Sequence, residues 1–98
     1  GTAQAIPVTR SATINLTVGA GAETNTCAIP TFNGQELRIY CAAVAGGTRA
    51  ITFASAINVA GNTIATFGTA RDYLVVHAVE VGAVLTWEVA VNTAVALT

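Results

Sequence analysis

Charged side chains are scarce in this chain of 98 residues, which has four Arg, five acidic residues and no Lys. The Arg residues are spread along the sequence, so no basic patch is available for a polyanion and we expect no nucleic-acid partner. A small free monomer normally carries about a quarter charged residues. The low charge therefore predicts a surface largely covered by protein. The alternative is a monomer made soluble by hydroxyl and amide groups.

Groups able to carry catalysis are equally few, with one His, one Asp and two Ser in the whole chain. A serine triad would have to combine Ser11 or Ser55 with His77 and Asp72. His77 and Asp72 are five residues apart on one predicted strand, so their side chains should point to opposite faces. We expect a protein that is not an enzyme and has no catalytic residues.

Patterns that bind metals or cofactors are missing too. Zinc needs three or four ligands, and neither a CxxC nor an HxxxH spacing occurs. The stretch Gly19-Ala20-Gly21 lacks the Lys and Ser or Thr that follow in a phosphate-binding loop, so we interpret it as a flexible loop. We expect no metal site and no cofactor.

The longest stretch without formal charge covers residues 50–70, which is long enough to cross a membrane as a helix. It contains Asn58, Asn62, Gly61, Gly68 and several Thr. A transmembrane helix would not tolerate so many polar and small residues, and we expect no membrane contact.

Apolar and polar residues alternate at period two along most of the sequence, which predicts strands rather than helices. Turn residues separate the runs, and Gly61-Asn62 is able to close a tight hairpin between residues 56–60 and 63–67. Residues 72–81 are almost continuously apolar, as in a central strand covered on both faces. The other predicted strands are residues 11–18, 24–29, 36–43, 49–54, 84–91 and 95–97.

About seven to nine short antiparallel strands with regular turns predict an all-β fold, either a single small β-sandwich or a jelly-roll-like barrel. Residues 1–10 are less periodic and contain Pro7. We interpret them as an extended N-terminal arm that could lie across a neighbour. The predicted domain division is therefore residues 1–10 for the arm and 11–98 for the β-sandwich domain.

Residues 32–98 contain a Gly-Gln step into a strand at residues 32–39, a hairpin rich in Thr and Ala at residues 57–67, an apolar strand, and a closing strand with Trp87 before a small apolar tail. In this pattern they resemble the small β-domains of bacteriophage structural proteins. Capsid decoration (cement) proteins and head-fibre proteins use domains of this kind.

The resemblance implies a structural virion protein that decorates the capsid and stabilises the phage head. Its implied partners are the major capsid protein and further copies of itself, as a homotrimer. The implied location is the capsid exterior, after assembly in the host bacterial cytoplasm. The chain has no repeats and no coiled coil, which favours decoration over a long fibre.

The alternative function is a receptor- or carbohydrate-binding module of a phage head or tail fibre. Such a module needs exposed aromatic rings, and Tyr40 and Trp87 are the candidates. Trp87 is in phase with Leu85 and Val89, so we expect it to pack in the core or under an oligomer contact. Tyr40 is in the polar phase of its strand and is the better exposed candidate.

The two cysteines, Cys27 and Cys41, each lie seven residues from Gly34. A hairpin centred on Gly34 would place them opposite one another, where a disulfide would be geometrically possible. Assembly in a reducing cytoplasm favours free, buried thiols instead.

Overall fold

The computed structural model describes residues 4–98, which form strands and loops without any helix. Alternation of buried and exposed side chains runs through the strands, as in β2 and β4, because each strand has one face on the core. The nine strands in these residues are β1 (Gln4–Ile6), β2 (Ala12–Val18), β3 (Ala22–Cys27), β4 (Glu36–Val44), β5 (Thr48–Phe53), β6 (Ile64–Phe67), β7 (Tyr73–Val81), β8 (Val84–Thr93) and β9 (Ala96–Leu97).

The strands form two sheets that share one hydrophobic core. Sheet A has the order β1-β3-β5-β6-β9, and sheet B has the order β2-β4-β7-β8. The core takes aliphatic side chains from both sheets, with Trp87 and Phe67 as its largest fully buried members. The prediction of an all-β chain is confirmed, and the two layers make a small sandwich-like fold.

The prediction of antiparallel strands is wrong for part of each sheet. Of the seven strand pairs among the described residues, four are antiparallel and three are parallel, namely β1 with β3, β2 with β4, and β3 with β5. The first five strands alternate between the sheets. A strand that returns to its own sheet after a crossing runs in its original direction, so its neighbour is parallel.

The buried side-chain amide of Gln35 makes hydrogen bonds to the loops that precede β2 and β4. Its Oε1 accepts hydrogen bonds from Thr31 N at 2.8 Å and Thr31 Oγ1 at 3.2 Å. Its Nε2 donates to the carbonyls of Val8 at 2.8 Å and Arg10 at 3.1 Å. Gln35 therefore joins the loop before β2 to the loop before β4, and its side chain is fully buried.

The predicted hairpin between residues 56–60 and 63–67 is wrong. Residues 54–63 form a loop in which Asn58 and Asn62 bind each other, with Asn62 N donating to Asn58 Oδ1 at 3.0 Å. The strand β6 pairs with β5 instead. Ile57 is fully buried, and its carbonyl accepts a hydrogen bond from Val89 N on β8. The loop therefore covers part of the outer edge of sheet B.

Strand β7 lies between β4 and β8, as expected for a central strand. Residues 74–76 are buried in succession, so both faces are covered there, whereas His77, Glu80 and Val81 are exposed.

The predicted arm, residues 1–10, is only partly described, since residues 1–3 lie outside the described residues. Strand β1 belongs to sheet A, where it pairs with β3 and buries Ile6. The division at residue 10 and a crossing to a neighbour stay predictions.

Candidate functional site

Asp72 and His77 lie apart in the structure. Asp72 is buried in the turn before β7, where its Oδ2 accepts hydrogen bonds from Gly68 N and Thr69 N, both at 3.1 Å. His77 is exposed. Ser11 Oγ accepts a hydrogen bond from the amide of Glu36 at 2.9 Å, and Ser55 is half-buried in the loop after β5. The position of each of these side chains is explained by the fold and does not require a catalytic role.

Within residues 4–98, no three His, Cys, Asp or Glu side chains come close enough to hold a metal ion. The same residues contain no apolar helix of membrane-crossing length.

A hairpin centred on Gly34, which would place Cys27 and Cys41 opposite one another, does not form. Cys27 ends β3 in sheet A, and Cys41 lies on β4 in sheet B. Both are buried free thiols. Burial raises the pKa of Cys27 to about 12, against a smaller lowering by a hydrogen bond with Trp87. Burial also raises the pKa of Cys41, and the negative charge of Asp72 acts in the same direction.

A buried guanidinium links the two sheets. Arg49, on β5, forms an ion pair with Glu23 of β3 at 3.0 Å and donates to Asn25 Oδ1 at 3.1 Å. Its Nη2 also donates to the carbonyl of Thr17 on β2 in the other sheet, at 3.1 Å. Among the buried side-chain nitrogen and oxygen atoms of the described residues, only Arg49 Nε has no hydrogen-bond partner. The arrangement is structural, because the charge is paired within the protein.

The carboxylate of Glu23 accepts a second hydrogen bond from Gly19 N at 3.1 Å. This bond, together with Arg49, lowers the pKa of Glu23 from its ordinary value. Sequence reasoning treated the four Arg as a dispersed set and missed this pair. The signal became visible only with the register, since Glu23 lies opposite Arg49 across β3 and β5.

The aromatic candidates for sugar binding differ in exposure. Trp87 is 1% exposed and donates through Nε1 to the Ala28 carbonyl at 2.8 Å, which confirms the prediction that it packs in the core. Tyr40 is half-buried on the outer face of sheet B. Its ring meets that of Tyr73 edge to face, with centroids 6.0 Å apart. Within residues 4–98 this pair is the only contact between aromatic rings.

An exposed apolar surface lies where the β7–β8 hairpin meets the loop before β4. Gly34 N donates to the Ala78 carbonyl at 3.0 Å, and Glu80 N donates to Asn33 Oδ1 at 3.3 Å, so this loop lies against the end of β7. Trp87, which is paired with Ala78, reaches Ala28 at the start of the same connection. Four of the six large apolar side chains exposed among the described residues lie in these segments. We call these four residues the apolar end: Ile29 (49% exposed), Phe32 (44%), Val81 (70%) and Val84 (59%).

A shallow depression of about 320 Å³ adjoins the apolar end. It is formed where the parallel strands β3 and β5 finish, and Ala28, next to Ile29, is part of its wall. The rest of the lining is Thr26, Cys27, Thr52, Phe53 and Ala54. A depression of this size and lining can accept an apolar side chain from a partner.

Sequence reasoning predicted a covered surface but did not locate it. The available signal was the presence of Phe32 in a predicted connection between strands, where polar residues are the norm, whereas Ile29 was assigned to the predicted strand of residues 24–29. Val81 and Val84 were assigned to strand faces, and only the hairpin geometry places them at an exposed tip.

Comparison with family models, with curated proteins and with solved structures finds no match for this chain. The likeness to bacteriophage β-domains therefore stays a prediction made from the sequence pattern.

Proposed function

We propose that this protein is a structural component of a bacteriophage particle, a capsid decoration protein that binds the major capsid protein on the outside of the head. The observation that carries the proposal is the apolar end. Large apolar side chains that are exposed together at one end of a small protein mark a contact with another protein. The sequence pattern supplies the class of particle, and it alone implies the homotrimer.

The apolar end suits contact with a shell because it combines protruding and recessed parts. Phe32 and the Val81–Val84 tip can enter a partner surface, while the depression beside Ala28 can receive a partner side chain. Burial of apolar area contributes about 25 cal/mol for each Å² removed from water. A contact repeated over a shell stabilises the assembled state by mass action, since the protein binds the assembled form in preference.

The buried free thiols are consistent with assembly in the host cytoplasm. Neither Cys27 nor Cys41 needs oxidation for the fold, because each packs as a small apolar side chain. A cytoplasmic, reducing compartment would leave both unchanged.

Glycan or receptor binding is the second candidate, and one observation favours it. Tyr40 and Tyr73 form a partly exposed pair on the outer face of sheet B, in register with Asn15 on the neighbouring strand. Aromatic faces beside an amide are a usual combination for sugars. Binding of wild-type protein to a glycan array, lost in Tyr40→Ala, would select this function over decoration.

The decoration proposal is tested with head shells assembled without this protein from the major capsid protein encoded in the same genome. Purified protein is added, bound protein is measured by co-sedimentation, and its position on the lattice by cryo-electron microscopy. We expect saturable binding at lattice positions and a higher temperature of shell disruption. Absence of binding at micromolar concentrations would overturn the proposal.

Two variants test whether the apolar end is the surface that binds the shell. Phe32→Asp and Val81→Asp should each weaken shell binding about tenfold or more, because each buries a charge in the contact. Val91→Asp is the matched control, since Val91 is 45% exposed and lies toward the other end of β8. Equal binding by all three variants would show that the contact surface is elsewhere.

A further inference from the structure

Strand β2 is an open edge of sheet B. Among the described residues it pairs only with β4. Its sequence, ATINLTV, has seven residues with no charge and no Pro. Charged side chains and Pro usually prevent one sheet edge from joining another, and β2 has neither. The other edge of sheet B, strand β8, differs because the amide of Val89 already donates a hydrogen bond to the Ile57 carbonyl.

The hydrogen bonds of β4 show which of its backbone groups face β2. Cys41 N donates to the Asp72 carbonyl, and the Cys41 carbonyl accepts from Arg71 N, so the Cys41 backbone is directed away from β2. Backbone direction alternates along a strand. The amides and carbonyls of Arg38 and Tyr40 are therefore directed toward β2.

The open groups of β2 follow from this alternation. Arg38 lies opposite Thr13, and Tyr40 lies opposite Asn15. In a parallel ladder a residue bonds to the two neighbours of its partner and leaves the partner's own amide and carbonyl directed outward. Thr13 and Asn15 therefore present unpaired donors and acceptors along the edge, which is the chemistry that recognises another β-strand.

The composition of β2 is symmetric about Asn15. Ile14 and Leu16 flank it, and Thr13 and Thr17 come next. If two copies of β2 ran antiparallel with Asn15 opposite Asn15, each polar residue would pair with a polar residue and each apolar residue with an apolar one. Thr would face Thr on the outer side, and Ile14 would face Leu16 on the core side. Such cross-strand pairs stabilise a sheet, and a two-fold contact requires this self-complementarity.

We propose that β2 pairs antiparallel with β2 of a second copy of this chain, across a two-fold axis at Asn15. The pairing joins two four-stranded sheets into one continuous sheet. It also covers Ile14, which is half-buried at the open edge. No charge meets its own copy across the axis, because β2 carries none.

The pairing has a consequence for the outer face. Asn15, Tyr40 and Tyr73 lie in one row across sheet B. In the dimer this row continues into the same row of the second copy, with the two Asn15 side chains at its centre. The dimer differs from the homotrimer that the resemblance implies, and it does not depend on the proposed decoration function.

The oligomeric state tests the proposal directly. Sedimentation equilibrium of the full chain at micromolar concentrations should give twice the chain mass of 9.9 kDa. Asn15→Asp puts two carboxylates opposite each other and should weaken association roughly tenfold or more. Thr24→Asp, at an exposed position of the inner strand β3, should leave it unchanged. A wild-type monomer or trimer, or a dimer that Asn15→Asp does not weaken, would overturn the proposal.

Cross-linking tests the register. Residues opposite each other in a hydrogen-bonded antiparallel pair have Cα atoms about 5.5 Å apart, which suits a disulfide. Asn15→Cys should therefore give a covalent dimer on mild oxidation with glutathione disulfide. Thr13→Cys should not, because Thr13 faces Thr17 of the second copy. Equal cross-linking of both variants would exclude this register. Shell binding without dimerisation, or the reverse, would separate this proposal from the decoration function.

Discussion

The backbone of Gly47 lies directly against the backbone of Gly21. A Cβ on Gly47 would fall far inside van der Waals contact with the Gly21 carbonyl oxygen, and it would be 2.5 Å from the carbonyl oxygen of Gly19. Gly47 N donates to that Gly19 oxygen at 2.9 Å. The loop from β2 to β3 is thus stacked on the loop from β4 to β5, and this requires glycine at position 47.

Gly47→Ala should lower the free energy of unfolding by roughly 1–3 kcal/mol, because the new methyl group forces the two loops apart. Urea unfolding followed by the fluorescence of buried Trp87 measures the change. Gly21→Ala is the control, since nothing lies within 4 Å of a Cβ there, and we expect a change within about 0.5 kcal/mol. Similar losses in both variants would contradict the stacking of the loops.

Gln35→Glu should destabilise the protein at neutral pH by about 2–4 kcal/mol, because a buried carboxylate would face the carbonyls of Val8 and Arg10 without a donor for them. Burial raises the folded-state pKa of the introduced carboxyl above its unfolded value. The variant is therefore most stable below the unfolded pKa of about 4.3 and loses stability as pH rises through the folded pKa. Unfolding curves from pH 4 to 8 should show this slope relative to wild type.

Glu23 should contribute to the loss of folding stability at acidic pH. Its pKa is lowered in the fold by Gly19 N–H and by Arg49. The stabilisation is therefore present above the unfolded pKa of about 4.3 and is lost as pH falls through the lower folded value. Glu23→Gln should flatten the fall in unfolding free energy below that pH. Glu80→Gln, which removes an exposed carboxyl on β7, should retain the wild-type fall. Identical acid profiles in wild type and Glu23→Gln would refute this role.

Both thiols should resist labelling in the folded protein. Cys27 has a pKa of about 12, so almost none of it is thiolate at pH 8, and Cys41 is also shifted upward. Reaction with a thiol-specific disulfide reagent should be slow in buffer and should reach two thiols per chain after unfolding in guanidinium. Rapid labelling of native protein would mean that the core around Cys27 opens readily.

The β7–β8 turn contains a strained residue, Ala83. Only Gly82 and Ala83 separate the paired residues Val81 and Val84, and both have positive φ, 58° and 65°. Such a turn favours Gly or Asn at both positions. Ala83→Gly should therefore raise the unfolding free energy by about 0.5–1 kcal/mol. Ala50→Gly, inside β5, should lower it by a similar amount. A loss in both variants would argue against the positive φ at Ala83.

Strand positions were predictable because the signal is local. The predicted strands at residues 11–18, 36–43 and 49–54 match β2, β4 and β5 to within one residue at each end. The burial of Trp87 followed from the same alternation. Each of these predictions needs only the direction of a side chain relative to its neighbours in sequence.

Strand partners were not predictable in the same way. Alternation has period two in parallel and antiparallel strands alike, so residues 12–18 give no sign that β4 is a parallel neighbour. The hairpin predicted at Gly61 failed because Asn58 and Asn62 close a loop and β6 joins β5. Cys27 and Cys41, which a hairpin centred on Gly34 would bring together, lie in different sheets for the same reason.

By itself, the sequence determined that this protein is all-β, has few charged residues and is built around an aliphatic core. These properties depend only on composition and on the direction of successive side chains. Only the tertiary structure decided that Arg49 meets Glu23, that β2 lies at an edge with Asn15 at its centre, and that Ile29, Phe32, Val81 and Val84 share one end. These relationships join residues that are distant along the chain. They depend on which strand lies beside which, a choice made by packing of the two sheets as a whole.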